Sequence, residues 1–103
     1  MKILHVATWG LPQDFRPANS EISVNLPSDY TARKLEVVIV PQQGAFLKFW
    51  FEADQNFVVV EKTWKLMFQP GEAVDGLKFI AGVEFGQVSA MVYEKSANII
   101  IGG

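Results

Sequence analysis

The chain has 103 residues, 50% of them hydrophobic, 13% aromatic and 19% charged, and it contains no cysteine. That length fits one domain with a core able to stand without cross-links, and the lack of cysteine excludes a disulfide scaffold. Nine Lys and Arg against eleven Asp and Glu give a formal net charge of −2, without a basic run that would follow a phosphate backbone, so nucleic acid is not an expected partner.

Apolar residues alternate with polar ones along most of the chain, which is the period of a half-buried strand. Ile3 to Trp9 reads as a first strand, ended by Gly10-Leu11-Pro12. Residues 12–20, with Pro12, Asp14, Pro17, Asn19 and Ser20, read as an irregular loop. Ile22, Val24 and Leu26 alternate with Glu21, Ser23 and Asn25 and give the clearest strand. Pro27 to Ala32 has the capping and first-turn residues for a single helical turn. Leu35–Val40, Ala45–Ala53, Phe57–Phe68, Leu77–Phe85 and Val88–Lys95 follow as strands. They are separated by Pro41-Gln42-Gln43-Gly44, Asp54-Gln55-Asn56, the Pro70-Gly71 pair of a type II turn, Asp75-Gly76 and Gly86-Gln87. Asn98–Ile101 is a last short apolar segment, and residues 97–103 read as a C-terminal arm.

About eight strands at spacings of roughly 8–12 residues predict an all-β fold: one antiparallel sandwich of jelly-roll type, or a small barrel. The expected core holds Phe49, Phe51, Val59 and Phe79, with Val37 or Val38 beside them. No apolar run reaches the ~18–20 residues that span a bilayer. The N-terminus has no signal pattern, so synthesis in the cytoplasm without a membrane partner is expected.

Several strands are apolar on both faces. Five of the six side chains in Leu35–Val40 are aliphatic, Phe46 and Trp50 lie opposite Leu47, Phe49 and Phe51, and Phe57-Val58-Val59-Val60 and Ile99-Ile100-Ile101 have no polar side chain. A sandwich strand buries one face and wets the other. The second face must therefore be covered by a loop, for which Leu11, Phe15 and Pro17 are candidates, or by another subunit.

Chemistry-bearing motifs are sparse. The single histidine, His5, has no cysteine or second histidine to complete a zinc site or a triad, and it reads as a half-buried residue with one hydrogen bond. The carboxylate pairs Glu52/Asp54 and Glu72/Asp75 sit at strand ends and turns, where carboxylates are usually solvated, and no calcium loop, phosphate loop or dinucleotide motif is present. Neither catalytic residues nor a metal or cofactor are expected. Lys48, Lys62, Lys65 and Lys78 are accompanied by Glu52, Glu61 and Glu84, which argues against an OB-type nucleic-acid groove.

These features lead to an assembly protein acting through an apolar interface. The candidate interface residues are Phe46, Trp50, Val58, Val60, Trp64, Ile99, Ile100 and Ile101, with Lys48, Glu52 and Lys62 as a charged rim. The expected partner is protein, either further copies of the chain or a repetitive protein lattice, and the setting that fits by class analogy is a virion, for example phage capsid decoration. Two alternatives stay open. Trp50 and Trp64 suit the stacking platform of a carbohydrate-binding module, and a small inhibitor-type binder would also dock by one patch.

Overall fold

The computed structural model describes residues 1–12 and 21–95. They form seven strands: β1 (Lys2–Gly10), β2 (Glu21–Pro27), β3 (Thr31–Val40), β4 (Gly44–Asp54), β5 (Val59–Met67), β6 (Leu77–Phe85) and β7 (Val88–Lys95). Two antiparallel sheets result, a three-stranded one in the order β1-β4-β3 and a four-stranded one in the order β2-β5-β7-β6. The expected all-β sandwich is what forms. Asn98–Ile101, the eighth strand of the sequence reading, lies outside the described residues, as does most of the 12–20 loop. Among the described residues no helix is long and apolar enough to cross a membrane.

Alternation fixes which face of each strand turns inward. On β2, Ile22, Val24 and Leu26 are buried while Glu21, Ser23 and Asn25 are exposed. On β4, Leu47, Phe49, Phe51 and Ala53 are buried and Phe46, Lys48, Trp50 and Glu52 point outward. The centre of the core is aromatic. Phe49 and Trp64, both fully buried, meet edge to face with centroids 4.9 Å apart. Trp9 adds a second edge contact to Trp64 at 5.3 Å, and Tyr30 meets Phe49 at 5.7 Å. Edge-to-face contact sets the positive ring edge against the negative face of its neighbour, so these rings lock the two sheets in one relative position.

Three features differ from the sequence reading. Pro27 to Ala32 is not a helical turn: Pro27 ends β2, Ser28 and Asp29 bend, and Thr31 already belongs to β3. Only Tyr30 lies between the bend and the opposite sheet, and it is drawn inward to 4% exposure, which takes the backbone straight across the sandwich. Val59 and Phe79 are not core residues, since each is 54% exposed. Val59 shares the outward parity of Glu61 and Thr63. A bulge between Phe79 and Ala81 shifts the alternation of β6, so Ile80 takes the inward position. Of the pair Val37 and Val38, Val37 packs against the core and Val38 faces outward.

Cover for Met67, on the outward parity of β5, comes from an unexpected loop. β5 and β6 both pair antiparallel with β7, so they run parallel to each other, and their connection has to travel the length of the sheet. Residues 68–76 make this crossing over the outer face of β7. The Pro70-Gly71 turn opens it, with Gly71 at φ +104°, and an ion pair of 3.3 Å from Lys65 to Glu72 ties it to the sheet. Met67 is buried underneath it. Of the residues expected to provide cover, Leu11 packs against the core, while Phe15 and Pro17 lie outside the described residues.

Chemical denaturation of two variants tests this assignment. Phe49→Ala should cost about 3–5 kcal/mol, the loss for a fully buried ring, whereas Phe79→Ala should stay within about 1 kcal/mol because its ring is half in water.

Candidate functional site

The outer face of the three-stranded sheet collects the residues that carry a functional argument. Register places Leu4 beside Glu52, Val6 beside Trp50, Thr8 beside Lys48 and Gly10 beside Phe46; on the far side of β4, Lys34, Glu36 and Val38 flank Trp50, Lys48 and Phe46. Phe46 lies over Gly10, where an added Cβ would come 3.4 Å from its ring, and an aromatic laid over a strand glycine shields that backbone. The Trp50 indole N–H donates to Glu36 Oε2 at 3.2 Å, and the Lys48 ammonium stands 5.0 Å from its ring centroid. Arg33 donates from Nε to Glu52 Oε2 at 2.6 Å. This bond holds the Glu52 carboxyl below its ordinary value, while donation from Trp50, then from Lys34, lowers Glu36. Both shifts favour the charged carboxylate. The face is thus an apolar strip, made by Leu4 and Val6 (57% and 49% exposed) with Trp50, bordered by fixed charges.

A second cluster sits inside the sandwich. Glu94 is the one buried charged residue among those described. Its Oε1 accepts from the Tyr30 hydroxyl at 2.5 Å and from the Trp64 indole N–H at 3.3 Å, and its Oε2 accepts from Lys62 Nζ at 3.3 Å. Lys62 donates in addition to the Ser28 carbonyl at 3.2 Å. The ammonium groups of Lys78 and Lys62 stand 4.6 and 5.3 Å from the Tyr30 ring centroid. Burial pushes the Tyr30 phenol far above its ordinary value, and the hydrogen bond to the charged Glu94 pushes it the same way. Every buried side-chain polar atom among the described residues has a partner. The cluster is therefore a closed structural node without an open valence for a ligand.

The remaining candidates separate. Trp64 is removed from the interface set: its indole is core, and its N–H is spent on Glu94. Lys62 belongs to the same interior node, its side chain only 15% exposed, which removes it from the rim. Val58 and Val60 are exposed, but Val58 belongs to the β4–β5 connection and Val60 to β5 of the four-stranded sheet, whereas Phe46 and Trp50 are on β4 of the three-stranded one. Ile99, Ile100 and Ile101 lie outside the described residues. Phe46, Trp50, Lys48 and Glu52 remain together on one face, joined by Leu4 and Val6. His5 is half-buried, stacks on Phe51 and makes one hydrogen bond from Nε2 to the Asp54 carbonyl at 3.2 Å. No group of acidic or histidine side chains able to hold a metal occurs among the described residues. On the outer face of the other sheet, the crossing loop leaves a groove of about 380 Å³ above Met67, Met91 and Tyr93.

Comparison with protein families, characterised proteins and solved structures finds no match to the chain. The functional reading therefore rests on the site itself. Two parts of it were within reach of the sequence: Glu94 shares the inward parity of Ala90 and Val92, and Lys62 that of Trp64 and Leu66. A charged residue on the inward parity of each of two strands is the signal of a buried ion pair.

Removing one partner of a buried pair strands the other, at about 3–5 kcal/mol. Glu94→Gln should lose about that much in denaturant unfolding. Tyr30 adds a dependence on alkali. Because its folded value lies above the ordinary 10.0, the neutral phenol stabilises the fold fully below pH 10.0, and that contribution falls as pH rises further and the unfolded chain ionises first. The stability difference between wild type and Tyr30→Phe should accordingly be constant below pH 10 and shrink above it; a difference flat through pH 11 would contradict the buried phenol.

Proposed function

We propose that the protein is a non-enzymatic assembly module that docks through the outer face of the three-stranded sheet. One observation carries this reading: Leu4 and Val6, exposed at 57% and 49%, form a continuous strip with Trp50 that no described segment covers. Exposed apolar side chains of this size gain roughly 1.5–3 kcal/mol each on burial. An indole at the centre of such a strip is the usual anchor of a protein interface. Lys48, Glu52, Lys34 and Glu36 then form the rim and set orientation through their fixed charges. The partner is protein, and the setting proposed is a repetitive lattice such as a virion surface, with phage capsid decoration as the specific form. What supports that setting is class analogy: a small rigid sandwich with one docking face suits many-copy display.

The polar frame around Trp50 also supports a second reading, a sugar platform in which the indole stacks on a pyranose ring between Glu36, Glu52 and Arg33. Trp50→Ser separates the two. Under the docking reading the variant keeps its fold, and association measured by light scattering over rising concentration weakens by about 30-fold, the effect of truncating an anchor worth about 2 kcal/mol. Unchanged association together with loss of glycan binding would assign the face to carbohydrate instead.

A further inference from the structure

The strip on the three-stranded sheet ends at a strand edge, and that edge differs from the other three. β3 is interrupted by a bulge between Ala32 and Lys34 and lies against β6. β6 has its own bulge between Phe79 and Ala81. β2 has seven residues and closes on Pro27. Bulges, prolines, short length and charge are the devices that keep a sheet edge from pairing with another chain. β1 has only a single charge, Lys2 at its first position: its nine residues keep an unbroken register and include no proline.

The backbone of β1 can be assigned amide by amide. At the two ends of the β1–β4 ladder, Leu11 N–H donates to the Ala45 carbonyl and Gln55 N–H to the Met1 carbonyl, each at 2.9 Å. Both pairs fall in the register that joins Lys2 to Asp54. Hydrogen-bonded and non-bonded pairs alternate along an antiparallel ladder. The odd residues Ile3, His5, Ala7 and Trp9 therefore exchange bonds with β4, and the even residues Lys2, Leu4, Val6, Thr8 and Gly10 aim their N–H and C=O groups away from the sheet. The same even residues put their side chains on the outer face, so the backbone left unpaired by the described residues and the apolar strip belong to one set of residues.

Taking that face as the working surface, we propose that its first partner is a second copy of this chain, joined by antiparallel pairing of β1 with the partner's β1 about a two-fold axis at Val6. In this register Val6 faces the partner's Val6, Leu4 faces the partner's Thr8, and Lys2 faces the partner's Gly10. All the outward amides are paired, and no like charges meet. A strand from an unrelated protein would need the same spacing by coincidence, whereas a two-fold contact needs only one self-complementary strand. The product is a six-stranded sheet in which both copies' Leu4 and Val6 form one strip between two Trp50 side chains. The dimer thus presents a doubled docking face to any larger assembly.

Light scattering on the full chain and three variants tests this. Thr8→Pro removes one outward N–H and leaves the β1–β4 ladder and the apolar strip intact, since proline is accepted on an edge. Val6→Lys sets two ammonium groups against each other on the axis and covers the case in which the proline variant fails to fold. The expected result is a wild-type mass of twice 11.5 kDa, with both edge variants folded and at the single-chain mass. Trp50→Ser, which alters the face and not the edge, stays a dimer while losing larger assembly. A wild type that remains a single chain at millimolar concentration overturns the pairing. So does a dimer that survives both edge variants. A dimer lost in Trp50→Ser but kept in Thr8→Pro overturns the edge pairing and leaves the docking face standing; the reverse pattern, with larger assembly intact in Trp50→Ser, removes the docking role and leaves the edge pairing.

Discussion

The carboxylate of Glu94 is the point on which the two sheets are set against each other. It belongs to β7, takes the indole N–H of Trp64 on the neighbouring β5, pairs with Lys62 on the same strand, and accepts from Tyr30 on the short crossing between β2 and β3. A buried carboxylate is costly unless its lone pairs are filled, and here three donors from two segments fill them. Tyr30 in turn meets Phe49 and Phe51 of the opposite sheet, so the polar node also fixes the position of the aromatic core. That requirement explains why the 27–31 segment crosses the sandwich directly, without a helical turn.

Once the inward faces are fixed, the outward apolar residues follow, and the chain treats them unequally. Met67 is covered by the crossing loop between β5 and β6, which the parallel relation of those strands makes obligatory. Phe46 shields Gly10, and Trp50 is framed by Glu36 and Lys48. Leu4 and Val6 receive no such cover from the described residues. They lie on the strand whose edge amides are also without a backbone partner among the described residues. Both features meet on β1, and the proposed working surface rests on this coincidence.

The alternation of β1, β2, β4 and β7 was legible from the residues, because each of these strands keeps an unbroken period of two. On β6 the alternation is not legible, because a bulge is invisible to a periodic count: Phe79 and Ile80 exchange roles within one residue. The inward position of Trp64 is not legible either, because hydrophobicity alone does not say which face of its strand turns inward; the polar residue that decides it, Glu94, sits on a different strand thirty residues away. Phe46 and Trp50 were recognised as outward from the parity of Phe49 and Phe51. Leu4 and Val6 carry no such signal in the sequence, because an edge position is a property of strand order, which one sequence does not display.

The claim that β1 is a free, self-pairing edge is tested most directly by residue-resolved amide hydrogen exchange as a function of protein concentration. In dilute protein, protection along β1 should alternate: His5, Ala7 and Trp9 slow, Leu4, Val6 and Thr8 fast. At high concentration the fast set should become protected while the slow set changes little. Protection of Leu4, Val6 and Thr8 already present in the dilute single chain, or unaltered by concentration, would contradict the account.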